Sequence, residues 1–208
     1  MSARVSLIVP VRDAASAKSR LAEGGGADAD ARRASLAVAI ALDTVTAARA
    51  AREVGELIVV GSLAEPLDGV RVVDDPGHGL LVAIGAGLAA ADPSAPTAVL
   101  LGDLPALQPA YLDAALIAAS EHHWAFVPDA EGDGTTLVVA AAGLPHSLRF
   151  GADSAERHRD AGYAELAVRP HSGLRRDVDT PDQLASLAAL ADAGVVLLGA
   201  RTRALLDA

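Results

Sequence analysis

Cysteine is absent from this 208-residue chain, which excludes disulfide frameworks, Cys-ligated zinc and thiol nucleophiles. Aromatic residues make up only 2%, so stacking platforms for unpaired bases are missing and the core must be built from Ala, Val, Leu and Ile. Positive charge is scarce too. Against 17 Lys+Arg stand 27 Asp+Glu, a formal net charge of −10, the wrong sign for a surface that tracks a phosphate backbone. No nucleic-acid partner is expected, and any anionic ligand must meet a local cationic patch or a metal. Long apolar runs are lacking as well. The first, residues 5–9, stops at Pro10 and is too short for a signal peptide, and none reaches the roughly 18 uncharged residues of a membrane-spanning helix. The expectation is a soluble cytoplasmic protein with no membrane partner, whose chemistry falls to oxygen and nitrogen groups.

What is present reads as globular: 51% hydrophobic and 21% charged residues, in a length suited to one domain over 1–208. Runs rich in β-branched residues recur at 5–11, 57–61, 70–73, 98–101, 124–127 and 136–140. They lack period-2 alternation, which suits strands buried on both faces. Between them lie Ala/Leu-rich stretches of helical spacing at 34–51, 80–91, 109–120, 154–161 and 181–191. This alternation predicts an α/β fold with a mainly parallel sheet. In such a sheet ligands bind beyond the carboxyl ends of the strands, so polar residues just after apolar runs carry the interest.

Four places qualify. After the first strand come Pro10, Val11, Arg12 and Asp13, then a loop with Lys18, Ser19 and Arg20 before three glycines at 24–26. These cations suit a basic loop folding over a polyphosphate, or simply a solvated surface loop. It is not a Walker A motif, since G-x-x-x-x-G-K-[ST] occurs nowhere. The strand at 98–101 ends in Gly102, Asp103, Leu104 and Pro105. Gly102 permits close backbone approach, and Asp103 either holds Mg²⁺ or caps the following helix. In Asp177-Val178-Asp179-Thr180-Pro181 the two carboxylates project to one side of an extended segment. They repel unless a cation lies between them, while Thr180 caps a helix opened by Pro181. Lastly, 132–136 and 150–154 set hydroxyls beside glycines. Ser154 would open a helix, a natural anion seat, although such residues are also ordinary turn and cap residues.

Two motifs are set aside. Gly85-Ala86-Gly87-Leu88-Ala89-Ala90 fits G-x-G-x-x-A but lies inside a helical stretch instead of at a strand-to-helix turn. His122-His123 lacks companions for a zinc site.

Taken in order, Val9-Pro10-Val11-Arg12, Ala17-Lys18-Ser19-Arg20-Leu21, Leu101-Gly102-Asp103-Leu104-Pro105, Gly134-Thr135-Thr136, Phe150-Gly151-Ala152-Asp153-Ser154 with His158, and Asp177-Val178-Asp179-Thr180-Pro181 form a pattern. It resembles the 2-phospho-L-lactate/phosphoenolpyruvate guanylyltransferases, which make the side-chain precursor of the deazaflavin coenzyme F-420. The resemblance runs from the first strand to about residue 190. Its L-x-G-D-x-P element is common to many nucleotidyltransferases; the F-G-x-x-S segment and the late D-x-D-T-P are more specific.

The resemblance implies a Rossmann-like, glycosyltransferase-A-like nucleotidyltransferase that moves GMP from GTP onto a phosphorylated three-carbon acid. Phosphoenolpyruvate is favoured over 2-phospho-L-lactate because the composition looks actinobacterial. It makes Asp103, Asp177 and Asp179 Mg²⁺ ligands. It sets Lys18 and the backbone of Pro10, Val11 and Arg12 on the triphosphate, with Gly79 and Gly102 also on the nucleotide side, and gives Thr136, Gly151 and Ser154 the acceptor. It further implies hand-over of a labile product to the next transferase. One departure stands out: the usual Gly-Gly-Leu-Asn near the guanine pocket reads Gly79-Leu80-Leu81-Val82. Alternatives are another nucleotidyltransferase, such as a molybdenum-cofactor type, or a catalytically silent nucleotide-binding paralogue.

Overall fold

The computed structural model describes residues 4–11 and 27–207. Seven strands form one sheet: β1 (Val5–Val11), β2 (Val54–Gly61), β3 (Val70–Val73), β4 (Thr97–Leu100), β5 (Trp124–Pro128), β6 (Thr135–Ala140) and β7 (Ala164–Glu165), in the order β3-β2-β1-β4-β6-β5-β7. The pairings β1–β2, β1–β4, β2–β3 and β5–β7 are parallel. β6 alone runs antiparallel to its neighbours β4 and β5. Its start therefore lies at the same sheet edge as the ends of β1, β4 and β5. The expected α/β fold with a mainly parallel sheet is the one observed.

Among the described residues six α-helices cover the sheet: α1 (Ala27–Ala50), α2 (Leu80–Ala90), α3 (Pro109–Ala119), α4 (Ser154–Asp160), α5 (Pro181–Asp192) and α6 (Ala200–Leu206), with a 3₁₀ turn at Gly173–Arg175. Alternate strand residues supply two cores, as the pleat requires. Leu7, Val9, Leu57, Val59, Leu100 and Leu137 pack with Val45, Ala48, Leu112 and Leu116 of α1 and α3. Ile8, Ile58, Val60, Val99, Phe126 and Val138 pack with Ala83, Ile84 and Ala155 of α2 and α4. Both faces are dry, which explains why the strands show apolar runs instead of alternation.

Local chemistry sets the helix starts. Pro109 and Pro181 occupy first-turn positions, where a missing N–H costs nothing. Thr180 and Gln183 form a reciprocal capping box, so the expected cap at Thr180 is present. Gly87 of the set-aside glycine pattern lies inside α2, where a Cβ would come within 2.5 Å of Ile8 and 2.8 Å of Val60. There the glycine lets helix and sheet approach closely. Helix α1 begins earlier than the expected residue 34, and α6, β7 and the 3₁₀ turn were not anticipated. Among the described residues no helix is long and apolar enough to cross a membrane.

Candidate active site

Of the polar residues singled out in the sequence, Asp103 and the Asp177–Asp179 pair meet at the C-terminal edge of the sheet. β4 stops where Leu101 N–H donates to the carbonyl of Thr136 at 2.9 Å. At Gly102 the chain then comes so near β1 that a Cβ would lie 2.8 Å from the carbonyl oxygen of Pro10. A side chain there would push the strands apart, so glycine is demanded by the close approach. Asp103 follows, half-buried. The next residue, Leu104, donates its N–H to the buried Thr44 Oγ1 at 3.0 Å.

The late aspartates arrive from across the sheet. Val178 N–H donates to the carbonyl of Asp103 at 3.0 Å, setting 177–179 alongside the β4 turn. Two further ties fix that segment. Thr136 Oγ1 donates to the carbonyl of Leu174 at 2.7 Å, and the Arg175 guanidinium donates to the carbonyls of Pro128 and Asp129. Asp177 Oδ1 is buried and accepts no hydrogen bond. Asp179 is exposed, its N–H held by Gln183 Oε1 at 2.9 Å.

Sequence reasoning missed two neighbours of Asp177. Asp129, Glu131 and Asp177 each present a carboxylate oxygen within 4.8 Å of the others; Asp103 and Asp179 are not members of this trio. Asp129 and Glu131 follow β5, so the rule that singled out Asp103, polar residues just past a buried strand, would have found them. Asp129 also organises its own loop: Oδ1 accepts the N–H groups of Gly132 and Asp133, and Oδ2 that of Gly134. Gly134 must be glycine, because a Cβ would sit 2.2 Å from Asp129 Oδ2. Burial, then the charge of Asp129, with smaller contributions from Asp179 and Glu131, pushes the Asp177 carboxyl up to about 6.

Of the residues expected to hold the acceptor, Thr136 belongs to β6, while Gly151 and Ser154 lie in the loop before α4 and at its first residue. Thr136 is fully buried, with its hydroxyl proton given to Leu174. Ser154 opens α4 as expected, but the capping position belongs to Asp153, which is left-handed with φ 53°. Gly151 is also left-handed at φ 111°, and the Arg157 guanidinium closes the loop by donating to the carbonyls of Phe150 and Ala152. His158 fastens this loop to β6. Its Nε2 accepts the N–H of Arg149 at 3.0 Å, which leaves Nδ1 to carry the proton toward Thr135 Oγ1, also 3.0 Å away. Burial, with Arg157 and Arg149 nearby, pulls its pKa down to about 4, so the ring stays neutral. His158 is completely buried, and its ring lies 5.5 Å from Phe150, 5.8 Å from Phe126 and 5.1 Å from Tyr163, centroid to centroid.

On the nucleotide side, Gly79 precedes α2 at φ 94°, without a side-chain cap, and Leu81 and Val82 are exposed beside it. Arg12 and Lys18 lie outside the described residues. His122 and His123, set aside above, are exposed.

Residues 38–168 match the MobA-like NTP transferase domain. Over 194 residues the chain is 44% identical to the phosphoenolpyruvate guanylyltransferase of Streptomyces coelicolor, covering 89% of this chain and 90% of that protein. To the enzyme of the same name from Streptosporangium roseum it is 42% identical over 210 residues, 97% and 90% of the two. Among solved structures, a Desulfovibrio desulfuricans protein classed with the nucleotide-diphospho-sugar transferases superposes with a TM-score of 0.70 at 19% identity, covering 100% and 95%. A Mycobacterium tuberculosis protein in complex with manganese does so at 0.57 and 21%, covering 90% and 98%. Those two share the fold. The chain belongs to the MobA-like NTP transferases and, within them, to the phosphoenolpyruvate guanylyltransferase family.

Proposed function

We propose that this protein transfers GMP from GTP to the phosphate of phosphoenolpyruvate. The observation that carries the reading is the meeting of Asp103 with the Asp177–Asp179 segment at the sheet's C-terminal edge, through the Val178–Asp103 main-chain bond. That edge is where a doubly wound sheet binds nucleotides, and the relatives named above, phosphoenolpyruvate guanylyltransferases, match 89% and 97% of the chain.

The carboxylates fit a divalent cation. Asp177 Oδ1 is buried without a donor, its neighbours are acidic, and hard oxygen donors suit Mg²⁺. Asp103, Asp177 and Asp179 would hold it, with Asp129 and Glu131 beside Asp177. A bound Mg²⁺ would neutralise phosphate charge and draw electrons from the phosphorus under attack.

The acceptor is a phosphate monoester already ionised at pH 7, its second pKa being about 6, so no side chain is required as a base. An acceptor oxygen attacks the α-phosphorus of GTP, the bond to the β-phosphate oxygen breaks, and pyrophosphate leaves with that bond's electron pair. The protein's part is alignment and charge. Lys18 neutralises the triphosphate, the Pro10–Gly102 contact seats it close to the backbone, and Gly151 and Ser154 orient the acid. The product is a diphosphate diester, an activated phosphoryl donor, and hand-over to a transferase that consumes it belongs to this reading. The test is pyrophosphate release and product mass from GTP and Mg²⁺ with phosphoenolpyruvate, with 2-phospho-L-lactate, and with neither. A guanylylated phosphoenolpyruvate is expected; release with neither acid, or none at all, overturns the proposal.

A further inference from the structure

Helix α1 carries two buried polar residues, Asp43 and Thr44, next to each other in a stretch that also buries Ile40, Leu42, Val45 and Ala48. A threonine inside a helix commonly returns its hydroxyl proton to the carbonyl one turn back, and Thr44 does so to Ile40 at 2.8 Å. The oxygen's lone pairs remain. One of them accepts the N–H of Leu104 at 3.0 Å, from the residue directly after Asp103. Asp43 works on the other side of the same turn. It accepts the N–H groups of Arg201 and Thr202 at 3.2 and 2.7 Å, which anchors the start of α6. Gly199, just ahead of α6, donates to the carbonyl of Pro105 at 2.7 Å. A Cβ on Gly199 would lie 2.2 Å from the Asp43 carboxyl carbon, so the contact between α6 and α1 is intimate.

The turn that carries Asp103 is thus clamped on both sides by neighbouring residues of one helix, directly through Thr44 and by way of α6 through Asp43. We infer that Thr44 is a positioning residue for Asp103: its hydroxyl oxygen fixes the backbone of the turn so that the carboxylate faces the nucleotide edge. The inference rests on the reading that Asp103 serves the metal and nucleotide. Thr44 itself touches neither. In Thr44→Val the volume stays and the acceptor goes, which leaves the Leu104 N–H buried without a partner and the turn free to shift. Thr44→Ser keeps the oxygen.

The experiment compares full-length wild type, Thr44→Val, Thr44→Ser and Asp103→Asn. It measures melting temperature, kcat and KM for both substrates, and Mn²⁺ affinity by electron paramagnetic resonance with GTP present. In Thr44→Val, kcat should fall about tenfold or more, the scale of a displaced reacting group. Mn²⁺ binding should weaken alongside, while the KM for phosphoenolpyruvate hardly moves. Thr44→Ser should restore both kcat and Mn²⁺ binding. Unchanged kcat and Mn²⁺ affinity in Thr44→Val, with Asp103→Asn losing both, overturns the inference alone. Full turnover and Mn²⁺ binding in Asp103→Asn overturns the reading on which it rests. If Thr44→Val does not fold, Thr44→Ala against Thr44→Ser at reduced temperature decides the question by the same criteria.

Discussion

The N–H of Val178 and the carbonyl of Asp103 are joined at 3.0 Å, and this one bond ties a carboxylate at the end of β4 to a pair just ahead of α5. If these side chains share a cation, replacing any one by the isosteric amide removes charge without volume. Asp103→Asn, Asp177→Asn and Asp179→Asn should each abolish Mg²⁺-dependent pyrophosphate release while circular dichroism stays native. Normal metal-dependent turnover in one of them removes that residue from the site. Glu131→Gln separates the two candidate groupings, since its carboxylate belongs to the trio with Asp129 and Asp177. Weakened metal activation there extends the site to β5.

Asp177 also predicts a pH signature for the metal-free protein. Its ordinary value is 3.8, and burial followed by the charge of Asp129 raises it to about 6. Between those values the native state binds more protons than the unfolded chain, so this group lowers stability progressively as pH rises through the window. The penalty is complete above the raised value. Asp177→Asn should therefore melt higher than wild type at about pH 8 with chelator present, and the advantage should disappear below about pH 4. Mn²⁺ should cancel it at neutral pH. An offset that is constant with pH would show that the carboxyl is not perturbed by its surroundings.

Much of this edge was legible because Asp103 is the first charged residue past an apolar strand, where a parallel sheet places its ligands, and because Asp177 and Asp179 stand two apart ahead of a Thr-Pro helix start. Other features left no such mark. β6 is dry on both faces, like a parallel strand, so nothing in its residues announces that it runs backwards. α6 is too short for periodicity to stand out, and the Asp43 bonds that anchor its start join residues 158 and 159 positions apart. Asp129 and Glu131 escaped notice because the glycines at 132 and 134 draw the eye to a turn, and that turn is in fact built on the Asp129 carboxylate.

Lys18 carries the expectation for the triphosphate. A charge-assisted contact to phosphate contributes about 1.5–3 kcal/mol, so Lys18→Ala should lower kcat/KM for GTP by roughly one to two orders of magnitude. The KM for phosphoenolpyruvate should stay near the wild-type value. An unchanged kcat/KM for GTP would return the loop after β1 to an ordinary solvated surface.

Ser154 and Thr136 were expected to act together on the acceptor, and their surroundings now separate them. Thr136 is fully buried and donates to the carbonyl of Leu174, in the 3₁₀ turn a few residues ahead of Asp177. Thr136→Val leaves that carbonyl unsatisfied, at a cost of about 1–3 kcal/mol. Its melting temperature should fall and its kcat should fall with it, because the segment bearing Asp177 loses a tie. Ser154 is buried as well, but it opens α4 with Asp153 in the capping position, so Ser154→Ala removes no cap and should change stability little. Its KM for phosphoenolpyruvate should rise by roughly 5- to 150-fold, the equivalent of about 1–3 kcal/mol of hydrogen bonding to a charged partner. Kinetics and melting measured on both variants separate an acceptor ligand from a structural tie. An unaltered acceptor KM in Ser154→Ala would sink the placement of the acceptor at the start of α4.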